Sequence, residues 1–170
     1  MSWTFTGMFR IEAVGNRLWR LALPLIYDDD EGTRWVAPRK FVFDGWSAPR
    51  FLWWLVPPSS GERDRAAAQH DFERQCFQLL GLDLADVDGY RFREAMKAVG
   101  MWGITRWPKS WIVRLQGIAS RPRGDGTHRD ERRNTFVYDE FGHERISLRR
   151  WCQKYYDPDG RGYRKEREVL

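Results

Sequence analysis

Ala66-Ala67-Ala68-Gln69-His70-Asp71-Phe72-Glu73-Arg74-Gln75-Cys76-Phe77-Gln78-Leu79-Leu80 is the stretch on which the fold turns. Ala68, Phe72, Cys76, Leu79 and Leu80 recur at helical spacing and make one apolar stripe. His70 falls almost opposite that stripe, beside Ala66 and Phe77, so the helix has two semi-apolar faces. Such a helix belongs between a sheet on one side and another helix on the other.

Working outward, the residues before it read as strands. Thr4 to Ala13 alternates weakly, with Phe5, Phe9 and Ile11 on one face. Gly15-Asn16 offers the positive-φ pair of a tight hairpin, and Leu18 to Tyr27 is the return strand, carrying Trp19, Leu21 and Leu23 on one side. Asp28-Asp29-Asp30-Glu31-Gly32 reads as a solvated turn, since it lacks the alternating ligands of a calcium loop. Trp35 to Phe43 resumes extended structure, and Pro38 within it suits an edge position. After the central helix, a second is expected to run to about Val99, with Phe92, Ala95, Met96 and Val99 inward and Gly100 stopping it. A third is expected from near Pro108, with Ile104, Trp107, Trp111, Leu115 and Ile118 on its inner side. The expected fold class is therefore α+β: an N-terminal antiparallel β-meander packed on these helices within residues 1–117.

Residues 118–134 are polar and rich in glycine, proline and charge, as in a linker or exposed loop. Residues 135–170 form a small C-terminal extension. In it, Thr135 to Tyr138 reads as a short strand, and Ser147 to Tyr156 as a short helix burying Leu148, Trp151, Cys152 and Tyr155. Phe136, Tyr138, Phe141, Trp151 and Tyr155 are candidate interface residues, because so short a segment has to bury them on residues 1–117 or on a partner chain. In an adaptor protein, Trp151 would stand near the centre of that interface.

The 170 residues are 42% hydrophobic and include ten tryptophans, enough for one core without cross-links. Two cysteines, Cys76 and Cys152, make no disulfide framework, and a reducing compartment is the direct inference. No apolar run approaches the roughly 18 residues of a membrane span, and Met1 to Phe9 lacks the pattern of a signal peptide. The net charge of +5 comes from interleaved signs with no long basic tract, so nucleic acid is not the expected partner.

Chemistry concentrates in Phe43-Asp44-Gly45-Trp46-Ser47-Ala48-Pro49-Arg50 and in the Ala-Ala-Ala-Gln-His-Asp run at 66–71. Asp44-Gly45 turns the chain sharply, and Ser47 before Ala48-Pro49 can cap the next element. A His-Asp pair in mid-helix, flanked by small residues, can carry a proton, bind half of a metal site, or hold a structural contact. Buried polar groups need partners, so Asp44, Ser47, His70 and Asp71 are expected to converge. Asp71 has no clear set of oxygen co-ligands, so no tightly bound metal is expected. Asp88 reads as a helix cap, and His128 and His143 stand isolated in polar loops.

Asp-Gly-x-Ser-x-Pro-Arg-x-x-Trp, then Ala-Ala-x-x-His-Asp, then Phe92-x-x-Ala95-Met96-x-x-x-Gly100 resembles a small family common in tailed phages and prophages, often encoded near tail or lysis genes. The resemblance spans roughly residues 18–117. It implies a phage structural or adaptor protein associated with the tail, with other phage structural proteins as partners, made in the host cytoplasm and then carried in the virion. The alternative it leaves is a hydrolase acting on cell-envelope lipid or peptidoglycan through His70 and Asp71.

The His-Asp helix followed by a second acidic helix also resembles calcium-dependent secreted phospholipases. That resemblance implies His70 as base, Asp71 as calcium ligand and Asp88 as the group orienting His70. Where the phage family has Asp three residues before Phe92, this chain has Gly89, with Asp88 one residue earlier. One residue is about 100° around a regular helix, so Asp88 can substitute only where the helix start is remodelled.

Overall fold

The computed structural model describes residues 3–15, 18–30, 34–44, 61, 64–82, 84, 87–101, 103, 136–138 and 144–156. The expected third helix from Pro108 and the 118–134 linker lie outside these residues. The protein is α+β, with N-terminal antiparallel strands packed on helices.

The strands build two sheets where the sequence suggests one meander. β1 (Thr4–Thr6), β4 (Leu25–Asp28) and β5 (Arg34–Ala37) form one, with β4 in the middle. β2 (Ile11–Gly15), β3 (Leu18–Leu21) and β6 (Val42–Phe43) form the other, with β3 in the middle. The 18–27 return strand is thus broken at Ala22-Leu23-Pro24, where Pro24 has no N–H to give a ladder. Before the break, Leu21 pairs with Ile11; after it, Leu25 pairs with Ala37. Thr4 to Ala13 likewise divides between the sheets instead of running as one strand. β2 and β3 pair antiparallel as expected, with Gly15 opposite Leu18; Gly15 does not take the positive φ expected of it, and Asn16 lies outside the described residues.

α1 (Asp64–Leu80) lies at the centre and packs on α2 (Phe92–Ala98), on α3 (Leu148–Tyr155) and on β5 and β6. Its C-terminus closes on Gly81 at φ +72°, where Leu82 N–H donates to Phe77 O and Gly81 N–H to Gln78 O. α2 ends the same way at Gly100, φ +73°, with Met101 N–H on Met96 O and Gly100 N–H on Lys97 O. Both are left-handed caps that a Cβ would strain.

The C-terminal segment joins the same core. β7 (Phe136–Tyr138) and β8 (Arg145–Ser147) form a hairpin, and Ser147 Oγ caps α3 by accepting from Arg150 N–H at 3.2 Å. Leu148, Trp151, Cys152 and Tyr155 are all buried, which is the face the sequence pattern assigns to the helix. Tyr156 hydroxyl donates to Val36 O at 3.0 Å, and its ring packs on Trp35 and Phe72. Trp151, fully buried within its own chain, is therefore not the centre of a partner interface, and Tyr155 is buried beside it. Tyr138 is half-buried, Phe136 stays 48% exposed, and Phe141 lies outside the described residues.

A second correction concerns the cysteines. Cys76 on α1 and Cys152 on α3 form a disulfide, with Cα atoms 5.6 Å apart. Seventy-six residues separate them in sequence, so only the docking of α3 on α1 brings them together. The reducing compartment read from a low cysteine count loses its basis.

Candidate acid centre on the buried helix

A helix buried around most of its circumference is ordinarily apolar, because each buried polar group must find a partner. α1 is an exception. Asp64, Gln69, His70, Glu73 and Gln75 are all buried on it, alongside Ala66, Ala67, Ala68, Phe72, Cys76 and Phe77. The small alanines let neighbouring elements approach, and the polar side chains meet them in two separate groups.

The first group is the one expected from sequence. Asp44, just after β6, stands close enough to Asp71 for its charge to bear on that carboxyl. His70 Nδ1 lies 3.4 Å from Asp71 Oδ1, and the imidazole packs on the Phe92 ring at 4.4 Å between centroids. Asp71 Oδ2 is enclosed and meets no N–H or hydroxyl donor. Two carboxyls in this position cannot both ionise cheaply. Burial, reinforced by the charge of Asp44 and opposed by His70, pushes Asp71 up to about 7. Asp71 therefore exchanges its proton close to neutral pH.

The second group was not singled out from sequence. Tyr27 of β4 donates its hydroxyl to Glu73, which is fully buried. Arg91 answers Glu73 with Nε at 3.1 Å from both carboxylate oxygens and a terminal nitrogen at 2.7 Å from Oε1. Its guanidinium lies 3.8 Å over the Trp35 ring and 5.0 Å from that of Trp3. Burial and the neighbouring Glu73 charge raise Tyr27 far above its ordinary value. For Arg91, burial is outweighed by the charges of Glu73 and Tyr27, so the guanidinium stays charged. Trp3, Tyr27 and Trp35 stack nearly parallel, with 14° and 6° between successive planes. The sequence signal was available only as an aromatic-rich set of strands, which does not specify an arginine 56 residues beyond Trp35.

A π-turn over Val87–Arg91 precedes α2 and connects the two groups. It puts Arg91 on Glu73 and the next residue, Phe92, on His70. A π-turn widens the helix relative to an α-helix, so the start of α2 departs from regular helical spacing. Asp88 lies within the turn, and its side chain is outside the description. α2 runs straight on from Arg91, whose own side chain makes no cap bond, and the cap expected of Asp88 falls outside the description.

In the acidic stretch expected to be a solvated turn, the described residues Asp28, Asp29 and Asp30 are all engaged by other side chains. Asp29 is buried and accepts from Trp35 Nε1 at 3.0 Å. Asp30 accepts from Trp3 Nε1 at 3.2 Å and from Tyr90 hydroxyl at 2.9 Å, and Asp28 pairs with Arg34. These carboxylates fasten the tryptophans that hold Arg91.

Of the residues singled out for chemistry, Asp44, His70 and Asp71 come together; Gly45, Ser47 and Pro49 fall outside the described residues. Among the described residues no group of three or more His, Cys, Asp or Glu is arranged to hold a metal ion. Calcium wants six to eight oxygens, so the described residues do not fit calcium at Asp71, and no step is assigned to it.

A family model described as a protein of unknown function, DUF1353, matches residues 19–113. No curated protein and no solved structure matches the chain.

Proposed function

Because the chain belongs to the DUF1353 family, whose matched span contains Asp44, His70, Asp71, Glu73 and Arg91, we propose that it is a hydrolase cleaving acyl bonds of cell-envelope lipid or peptidoglycan. The observation that carries this reading is the Asp71 carboxyl, held 3.4 Å from His70 Nδ1 beside Asp44 with its Oδ2 enclosed and pushed up to about 7. A group titrating near the working pH is suited to take a proton from water and to return one to a leaving group. Paired carboxyls that share one proton divide those roles between them, the ionised member activating water and the protonated member polarising the carbonyl. Asp71 and Asp44 are the catalytic pair in this reading, and His70 fixes the Asp71 carboxyl through Oδ1. A carboxyl that titrates near neutral pH suits attack of water on an acyl carbonyl, which needs a base and then an acid. An ester or amide is accordingly the expected target.

The test incubates the purified chain with vesicles of bacterial phospholipid and, separately, with purified peptidoglycan, scoring released fatty acid or new amino groups. One substrate should be cut, and Asp71→Asn should lower the rate at least about a hundredfold, as general acid–base residues do. No release from either substrate, or full activity in Asp71→Asn, would refute the reading.

A tail-associated structural role among other phage proteins, carried into the virion, is the second reading. Phe136, the exposed interface candidate, favours it. Phe136→Ala would then reduce incorporation into particles, while Asp71→Asn would not.

A further inference from the structure

We propose that Cys76–Cys152 is a maturation latch, closed only after the chain leaves a reducing cytoplasm, which fastens the C-terminal segment over the helix that carries the acid centre. The bond is the one covalent tie between α1 and α3 among the described residues. Both cysteines are fully buried, so neither a reductant nor an oxidant reaches them while the segment is docked. The bond therefore forms as α3 arrives on α1 and is shielded once it has formed.

The chemistry is thiol–disulfide exchange with a small or protein disulfide, such as oxidised glutathione. The two thiols give up two protons and two electrons and become one disulfide, and the oxidant is reduced to two thiols. In the cytoplasm the thiol pool holds the cysteines reduced, and the oxidant is met outside it.

What the latch holds is specific. Tyr156, at the end of α3, packs on Phe72 of α1 and on Trp35, and its hydroxyl is bonded to Val36 O. Trp35 in turn carries the Arg91 guanidinium that pairs with Glu73, one turn from His70. Opening the segment removes the cover from Phe72 and Trp35, so the ion pair that fixes α1 beside the acid centre depends on closure. The latch itself rests on the bond; its effect on catalysis rests on the hydrolase reading above.

The experiment uses the full chain in three forms: oxidised with glutathione disulfide, reduced with dithiothreitol in denaturant and refolded under reductant, and the double variant Cys76→Ala/Cys152→Ala. Thiols are counted by maleimide labelling in denaturant, directly from cytoplasm and from released particles or culture fluid. Two reactive thiols are expected in the cytoplasm and none outside. The reduced chain and the double variant should be cut by trypsin at Arg149, Arg150 or Lys154 at least about tenfold faster than the oxidised chain. Their unfolding midpoints should lie about ten degrees lower. Dithiothreitol added to the folded oxidised chain should release thiols only at the rate at which the segment opens.

A bond already closed in the cytoplasm overturns maturation. Equal cleavage rates and equal midpoints overturn the latch, and if the double variant does not fold, the reduced wild-type chain gives the same reading. Faster cleavage on reduction with no hydrolysis in any form would sink the hydrolase and leave the latch. Unchanged cleavage with hydrolysis intact would do the reverse.

Discussion

Two polar groups on α1, centred on residues two positions and so roughly 200° apart, are built on opposite plans. Around Glu73 every strong demand is met: a tyrosine hydroxyl and a bidentate arginine converge on its carboxylate, and two tryptophan faces cover the guanidinium. Around Asp71 the account stays open. Its neighbour is another carboxyl, its histidine contact is long at 3.4 Å, and Oδ2 meets no hydrogen-bond partner among the described residues. A closed network specifies a fold and resists change of state. An open one changes protonation near neutral pH, which a catalytic group needs and a structural one does not. The difference separates the part of the helix that holds the domain together from the part suited to chemistry.

The largest effect should come from opening the closed network. Arg91→Ala strips the countercharge from fully buried Glu73 and removes the guanidinium from Trp35, and should cost about 3–5 kcal/mol by urea denaturation. A loss under about 1 kcal/mol would erase the contrast, since an exposed ion pair loses no more than that.

The open centre should behave in the contrary sense. Asp71 is raised in the folded protein, so it binds its proton more tightly there than in the unfolded chain. Its contribution to stability is full below about pH 4 and is lost as pH rises through about 7. Asp71→Asn removes that dependence. Because the side chain is 25% exposed, we expect a discounted gain of about 2 kcal/mol at pH 8 and none at pH 4. A variant less stable than wild type at pH 8 would make Asp71 a structural residue like Glu73.

The smallest effect sharpens the boundary between the groups. Tyr27→Phe removes one hydroxyl but leaves Arg91 on Glu73, so it should cost about 1–2 kcal/mol at every pH from 5 to 8. Tyr27 titrates far above that range, so pH-dependent loss there would show the two groups to be coupled through α1.

Legibility followed the range of the interaction. The apolar stripe of α1, the Gly100 stop and the inward face of α3 are local patterns of three, four or seven residues, and each stands where the spacing puts it. The approach of Asp44 to His70-Asp71 was legible through a weaker argument, that a polar pair amid alanines needs partners from elsewhere. The break at Pro24 had a local signal too, but apolar alternation from Leu18 to Tyr27 masked it. The Arg91–Glu73 pair had none. Two charges 18 residues apart read as solvated until a turn of the other hand of spacing, the π-turn at Val87–Arg91, aims one at the other.

What the sequence by itself determined is the α+β class, the central helix with its polar load, and which residues face inward along each short element. Those follow from backbone periodicity and from steric limits at glycine and proline, which act within a few residues. Only the tertiary structure decided that the strands divide into two sheets, that Trp151 is buried in its own chain, and that Cys76 meets Cys152. It also made buried Glu73 a fixed ion pair and half-buried Asp71, two residues away, a titrating acid. Neighbours distant in sequence set a group's solvation and countercharge, and these fix whether a carboxyl stays ionised or holds a proton.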